Sequence, residues 1–153
     1  MIITFCGHSD FHGTRESEEK ILACIREQAK GERVSFLLGG YGGFDDFAKD
    51  CCKKYKQEDP RSELLFASPY RIEGFYKKRE WIKETYDCIM IPDNIGSLFS
   101  KYNILKRNEW MVRECDFLIA YVDYDWGGAA KMLQYAIRRK KPYINFGSKV
   151  FDS

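Results

Sequence analysis

The chain lacks a charge of one sign. Across 153 residues, 25 Lys and Arg face 23 Asp and Glu, for a net charge of +2. Proteins built to hold duplex nucleic acid usually carry a clear basic excess, so this balance argues against nucleic acid as a partner. Long hydrophobic runs are also missing. The longest, Phe117 to Val122, falls far short of the ~18 residues of a membrane span, which argues against a membrane partner. The first residues enter a strand-like segment at once, with no basic region leading into a long apolar one. No secretory leader is expected, and the cytoplasm is the expected location. None of the 6 Cys forms a C-x-x-C pair, so neither a zinc cage nor a disulfide framework is expected. The phosphate-loop pattern G-x-x-x-x-G-K-[ST] is absent, and the glycine-rich stretch at residues 39–43 does not fit G-x-G-x-x-G.

What is present is the composition of a folded domain. Hydrophobic residues make up 44% and charged residues 31%, enough apolar surface to build a core. The length fits one domain over residues 1–153. Aromatics reach 16%, which leaves rings over for stacking or for an interface. Two basic clusters, Lys77–Arg79 and Arg138–Lys141, read as solvated helix ends.

Short apolar runs alternate with amphipathic stretches. Ile2–Cys6, Val34–Leu38, Glu63–Ala67, Tyr86–Ile91, Asp116–Val122 and Tyr143–Phe146 read as strands. Arg15–Lys30, Phe44–Lys56, Ser100–Glu114 and Gly128–Lys140 read as helices. In the second, Phe44, Phe47, Ala48, Cys51, Cys52 and Tyr55 recur at helical spacing. Ser68–Lys78, with a short helix at its end, and Asp93–Phe99 read as loops beside a site. The alternation predicts an α/β fold: a Rossmann-like three-layer sandwich, mostly parallel, with helices on both faces.

Most of the 12 glycines fall in three segments, each between a strand and a helix. These are Cys6–Thr14 with Gly7 and Gly13, the run Gly39-Gly40-Tyr41-Gly42-Gly43, and Trp126-Gly127-Gly128. In a parallel sheet all three turns emerge at the carboxyl edge, where such sheets bind ligands. Glycine lets a phosphate approach the backbone, and each following helix offers unpaired N–H groups and a positive dipole end. A nucleotide or sugar-phosphate ligand is therefore expected. In the helix Ser100–Glu114, Arg107 and Asn108 interrupt the apolar stripe. Arg107 either pairs with a nearby acid, Glu114 or Asp116, or reaches a ligand.

Taken together, Phe5-Cys6-Gly7-His8, Gly39 to Asp45, Arg107 to Val112, Cys115 to Ala120, Gly127-Gly128, Gln134-Tyr135-Ala136 and Lys141-Pro142 resemble the SLOG superfamily. This Rossmann-like group includes DprA-type DNA-processing proteins and lonely-guy phosphoribohydrolases. The YspA/YpsA-like branch is the nearest in motif order. The resemblance spans Phe5 to Pro142. It implies a nucleotide pocket in which N–H groups of Gly40, Gly42 and Gly43 approach a phosphate. Arg107 would stand by the phosphate or ribose, and Gly127-Gly128 would complete the cradle. Catalytic lonely-guy members carry P-G-G-x-G-T-x-x-E at the third turn. This chain reads Asp125-Trp126-Gly127-Gly128-Ala129-Ala130-Lys131-Met132, without the Pro, the Gly-Thr pair or the Glu. The resemblance therefore does not carry phosphoribohydrolase activity across.

The candidate ligand-binding residues are Gly7, His8, Gly39, Gly40, Gly42, Gly43, Asp45, Arg107, Asn108, Gly127 and Gly128. His8 and Asp45 are the candidates for any catalysis, with Asp10 beside them. His8, Asp10 and His12 are weighed as metal ligands and set aside, because a single loop fixes a metal poorly. Asp45 reads either as a first-turn acid suited to the helix dipole or as a ribose ligand, a role that the family motif favours. Tyr124 and Trp126 read either as base-stacking rings or as an oligomer contact. The main functional reading is a nucleotide-binding sensor or adaptor with no required cofactor, and copies of the chain itself as a candidate partner. The alternatives are a hydrolase of a nucleotide N-glycosidic bond and a DNA-processing adaptor.

Overall fold

The computed structural model describes residues 1–71, 79–96 and 100–152. Part of the predicted loop Ser68–Lys78, including Lys77 and Lys78, and the end of Asp93–Phe99 lie outside these residues. Six strands form one parallel sheet: β1 (Ile2–Gly7), β2 (Ser35–Leu38), β3 (Glu63–Ala67), β4 (Cys88–Met90), β5 (Phe117–Tyr121) and β6 (Tyr143–Asn145). The order across the sheet is β4-β3-β2-β1-β5-β6, and every pairing is parallel. Between them run α1 (Arg15–Ala29), α2 (Gly43–Glu58), α3 (Glu80–Thr85), α4 (Lys101–Glu114) and α5 (Gly127–Arg138). The fold is α/β and Rossmann-like, as expected.

Strand alternation divides the core in two. Ile3 and Phe5 of β1, Phe36 and Leu38 of β2, and Phe117 and Ile119 of β5 face α1 and α2, where Ile21, Ile25, Phe44, Ala48 and Cys52 cover them. Cys6, Leu37, Leu118 and Ala120 point the other way, onto Met111 and Val112 of α4 and Ala130, Leu133 and Ala136 of α5. Both faces of the central strands are buried, which is why those strands read as unbroken apolar runs. The predicted strand Tyr86–Ile91 is realised only over Cys88–Met90, because Tyr86 closes α3 and joins the first core cluster.

Helix ends explain where the elements begin. Thr14 and Ser17 form a reciprocal capping box at the start of α1. Helix α2 has no side-chain cap, and its N-cap Gly42 sits at φ 92°. Its first N–H groups are taken up by the β1 loop instead: Gly43 N–H donates to Ser9 O at 2.9 Å and Phe44 N–H to His8 O at 3.3 Å. At the opposite edge, the Lys141 ammonium donates to Arg113 O and Cys115 O at the carboxyl end of α4. That basic cluster therefore sits at helix ends.

The chain winds outward from β1 to β4, returns through α4 to β5 beside β1, and continues outward to β6. The direction of winding reverses between β1 and β5. In open parallel sheets, the crevice at the carboxyl ends of two such strands is the ligand position.

Candidate functional site

A cleft of about 220 Å³ opens at this reversal. Its floor is the end of β1 with Phe5, Cys6, Gly7, His8 and Ser9. One wall is α4, with Ile104, Arg107, Asn108 and Met111. The other is the β5 loop and α5, with Tyr124, Trp126, Gly127, Gly128, Ala129 and Met132, while Tyr41 and Asp45 close the side toward β2. Of the predicted residues, Gly7, His8, Asp45, Arg107, Asn108, Gly127 and Gly128 line the cleft. Gly39, Gly40, Gly42 and Gly43 are not among its lining residues.

The glycines fall into two groups by what surrounds them. A Cβ on Gly7 would lie 2.2 Å from a Phe44 ring carbon, and one on Gly43 would lie 2.6 Å from Phe11 O. One on Gly42 would meet Ser9 Cα at 2.9 Å, in a backbone at φ 92°. Gly7 makes room for the Phe44 ring, and Gly42 and Gly43 let the β1 loop and α2 pack in direct backbone contact. Gly128 differs: a Cβ there would meet nothing within 4 Å, and its φ lies outside the positive region. Neither packing nor backbone geometry explains its missing side chain. Gly128 faces the cleft in the first turn of α5, a turn with no acidic residue and no side-chain cap. The exposed positive end of that helix dipole opens onto the cleft.

Arg107 is 2% exposed. Its Nη1 donates to Gly39 O at 3.0 Å and to Ala67 O at 2.9 Å, and its Nε donates to Asn108 Oδ1 at 3.0 Å. Neither acid named in the sequence reading is its partner: Asp116 accepts from Ile2 N–H at 2.8 Å, and Glu114 is exposed. The arginine ties α4 to the carboxyl ends of β2 and β3. With Asn108 Oδ1 turned to Arg107, the Asn108 amide group is the donor left at the cleft.

Asp45 stands across Gly39 from Arg107. A Cβ on Gly39 would lie 3.2 Å from both the Arg107 Cζ and the Asp45 Oδ2. The carboxylate accepts from Tyr41 N–H at 3.0 Å. Burial pushes its pKa up to about 6, against the pull of the Tyr41 N–H and the Arg107 charge. A carboxyl with that value exchanges its proton near neutrality, as general acid–base chemistry requires.

His8 is 6% exposed. Asp123 N–H donates to its Nε2 at 3.0 Å, which assigns the ring proton to Nδ1. Burial lowers its pKa, opposed by Asp10 and Asp123, so the imidazole is neutral. The Tyr124 ring stacks on it at 3.5 Å and 10°, and Trp126 stacks on Tyr124 at 4.0 Å and 23°. Tyr124 Oη donates to Asp10 Oδ1 at 3.3 Å. The β1 and β5 loops are thus joined by a column of three rings. Among the described residues, no three His, Cys, Asp or Glu side chains converge as a metal site needs. Burial drives the Cys6 thiol far above its ordinary pKa, which leaves it inert as a nucleophile.

Ser9, Tyr41, Ile104, Met111 and Met132 line the cleft without having been singled out in the sequence. The sign for Tyr41 was a lone aromatic between two glycine pairs. Ser9 lies inside the first glycine-bearing segment, whereas Ile104, Met111 and Met132 carry no local signal, because topology alone brings them to the cleft.

The fold and its crevice define a Rossmann-like α/β protein with a cleft at the carboxyl edge of its sheet, and two solved DNA-processing proteins share that fold. The structure of DNA processing protein A from Helicobacter pylori superposes on 100% of this chain and 68% of its own, with TM-score 0.63 and 18% identity. That of DNA processing protein A from Streptococcus pneumoniae matches 98% of this chain with TM-score 0.67 and 12% identity. The chain spans 51% of the pneumococcal protein. No family model matches. In sequence, the chain is 26% identical over 143 residues to the uncharacterized SPbeta prophage-derived protein YoqJ of Bacillus subtilis, covering 83% of this chain and 82% of the relative. It is 25% identical over 134 residues to the UPF0398 protein BH1768 of Halalkalibacterium halodurans, covering 82% and 69%.

One expectation is overturned here. The near-balanced charge argued against nucleic acid as a partner, yet the Helicobacter protein, built on this fold, binds single-stranded DNA. Net charge is a poor guide for such a site because helix ends and oriented N–H groups supply local positive potential without a basic excess. Among the described residues, no helix is long and apolar enough to cross a membrane.

Proposed function

We propose that the chain is a nucleotide-binding module that holds a phosphate against the first turn of α5 in the crevice between β1 and β5. The ligand is a nucleotide, either free or as a unit of single-stranded nucleic acid. The observation that carries this reading is Gly128. It has open space where its side chain would be, and it sits at an uncapped helix start facing a cleft. Asn108 and the Gly127-Gly128 N–H groups are the donors for the phosphate. The likeness to a single-stranded-DNA-binding protein supports the DNA-processing adaptor form of the reading. The motif order supports placement in the YspA/YpsA-like branch. No cofactor is needed.

The test is a melting panel with nucleoside monophosphates, ADP-ribose, and single-stranded and duplex DNA. A ligand at ten times its Kd adds about 1.4 kcal/mol of stability, and Gly128→Val should abolish the shift while leaving the unliganded melt in place. If none of these ligands moves the wild-type melt, the reading is wrong.

The Asp45 carboxyl favours a second reading, hydrolysis of a nucleotide N-glycosidic bond. A group titrating near pH 6 beside the cleft suits protonation of a leaving base. Chromatography after incubation with nucleoside monophosphates decides it. Free base that appears with wild type and not with Asp45→Asn makes the chain an enzyme, and intact nucleotide in both removes the reading.

A further inference from the structure

The ring column is built like a stack with its last layer missing. His8 is its buried base, pinned through Nε2 by Asp123 N–H. Tyr124 is the middle layer, tied through its hydroxyl to Asp10. Both faces of Tyr124 are covered, by His8 and by Trp126, within 23° of coplanarity. Trp126 ends the column, with one face on Tyr124 and 65% of its surface exposed. An exposed tryptophan held flat by a rigid stack costs little to order when a ligand arrives. Trp126 is also the N-cap residue of α5, so the platform and the proposed phosphate position are neighbours in the chain and lie in one cleft.

We infer that the outer face of Trp126 takes an unpaired nucleobase, whose phosphate lies on the first turn of α5. The inference rests on the phosphate reading above and sharpens it. The ligand is defined by a base and a phosphate together, not by the phosphate alone. Stacking on one aromatic face is tolerant of base identity, because every base offers a π-face. It excludes the interior of a duplex, whose bases are already stacked on both faces and paired. The ligand class is therefore a nucleotide with a free base: a mononucleotide, an overhanging end or a single strand.

Calorimetric titration separates the parts. The probes are ribose 5-phosphate, thymidine 5′-monophosphate, oligothymidylate and a blunt duplex, against wild type, Trp126→Ala, Trp126→Phe and Gly128→Val. Base–aromatic stacking contributes about 1–3 kcal/mol per base, so Trp126→Ala should weaken the monophosphate about fivefold or more. Trp126→Phe should restore most of the loss, and ribose 5-phosphate should change by less than about twofold. Tryptophan is exposed here, so Trp126→Ala is expected to melt with the wild type. Tight oligothymidylate and a weak mononucleotide, both dependent on Trp126, support the inference and assign the single strand as the source. If ribose 5-phosphate and the nucleotide bind equally and Trp126→Ala changes neither, stacking is refuted while the phosphate reading stands. If no probe binds wild type, both fail together.

Discussion

Replacing Asp45 by Asn should make the protein more stable at neutral pH. The carboxyl sits between Gly39, Tyr41 and Arg107, and burial raises its pKa from 3.8 to about 6. In the folded chain it therefore binds its proton more tightly than in the unfolded chain. Between these two values the unfolded state has released a proton that the folded state keeps, so folding stability falls as pH rises through this window. Above it the full cost is present. Roughly two pKa units at 1.36 kcal/mol each give about 3 kcal/mol. That figure already includes the attraction of Arg107, which lowers the pKa without restoring it. Asparagine keeps an oxygen to accept from Tyr41 N–H and carries no charge to desolvate. Urea unfolding of wild type and Asp45→Asn, followed by far-ultraviolet circular dichroism from about pH 4 to pH 8, reads the difference directly. The expected gain is near zero at the acid end, grows across the window, and levels off at about 2–3 kcal/mol, or roughly 5–10 °C in Tm. A variant less stable than wild type at about pH 8, or a gain with no pH dependence, would refute the account.

Three further outcomes are expected. Arg107→Met should cost about 3 kcal/mol or more in urea unfolding, because Gly39 O and Ala67 O lose their buried donor. Gly7→Ala should destabilise by about 1–3 kcal/mol, since its Cβ would fall 2.2 Å from the Phe44 ring. Gly128→Ala, in open space in a helical first turn, should instead leave stability unchanged or raised by up to about 1 kcal/mol; equal losses in calorimetric melts would contradict the division between packing and cleft glycines. His8 titrates below its ordinary 6.5 because of burial. Its contribution is complete above that pH and is lost as pH falls through the lowered value, when Nε2 would turn a second N–H toward Asp123 N–H. His8→Gln should remove that acid-side loss from the difference between the two pH–stability curves.

The sheet was readable because its central strands are buried on both faces and its helices carry one apolar stripe each. Phe117–Tyr121 and the Phe44–Tyr55 stripe declare themselves locally. Glycine at strand ends likewise pointed to the carboxyl edge and to the cleft there. What individual glycines do was not readable. Gly7 and Gly128 are the same letter in similar turns, yet Phe44 explains one and nothing inside the protein explains the other. Arg107 was visible as an oddity, but its partners are backbone carbonyls of Gly39 and Ala67, and a sequence gives no mark to a carbonyl. The ring column likewise joins His8 to residues 116 and 118 positions away in the chain, which only the β1–β5 pairing brings together.

The Arg107 bonds also set an order in time. The guanidinium belongs to the later half of the chain, and the carbonyls it grips belong to the earlier half. A nascent chain carrying only β1 to β3 has one side of the crevice, with Asp45 and Tyr41 in place and nothing opposite them. The cleft comes into being when α4 and α5 dock. Separately expressed halves, cut between β4 and α4, should therefore hold the β1 floor apart from Asn108, Trp126 and Gly128, and complete the crevice only on reassociation. The proposed nucleotide, present during synthesis, would then act on the docking step, drawing the two halves together as it binds.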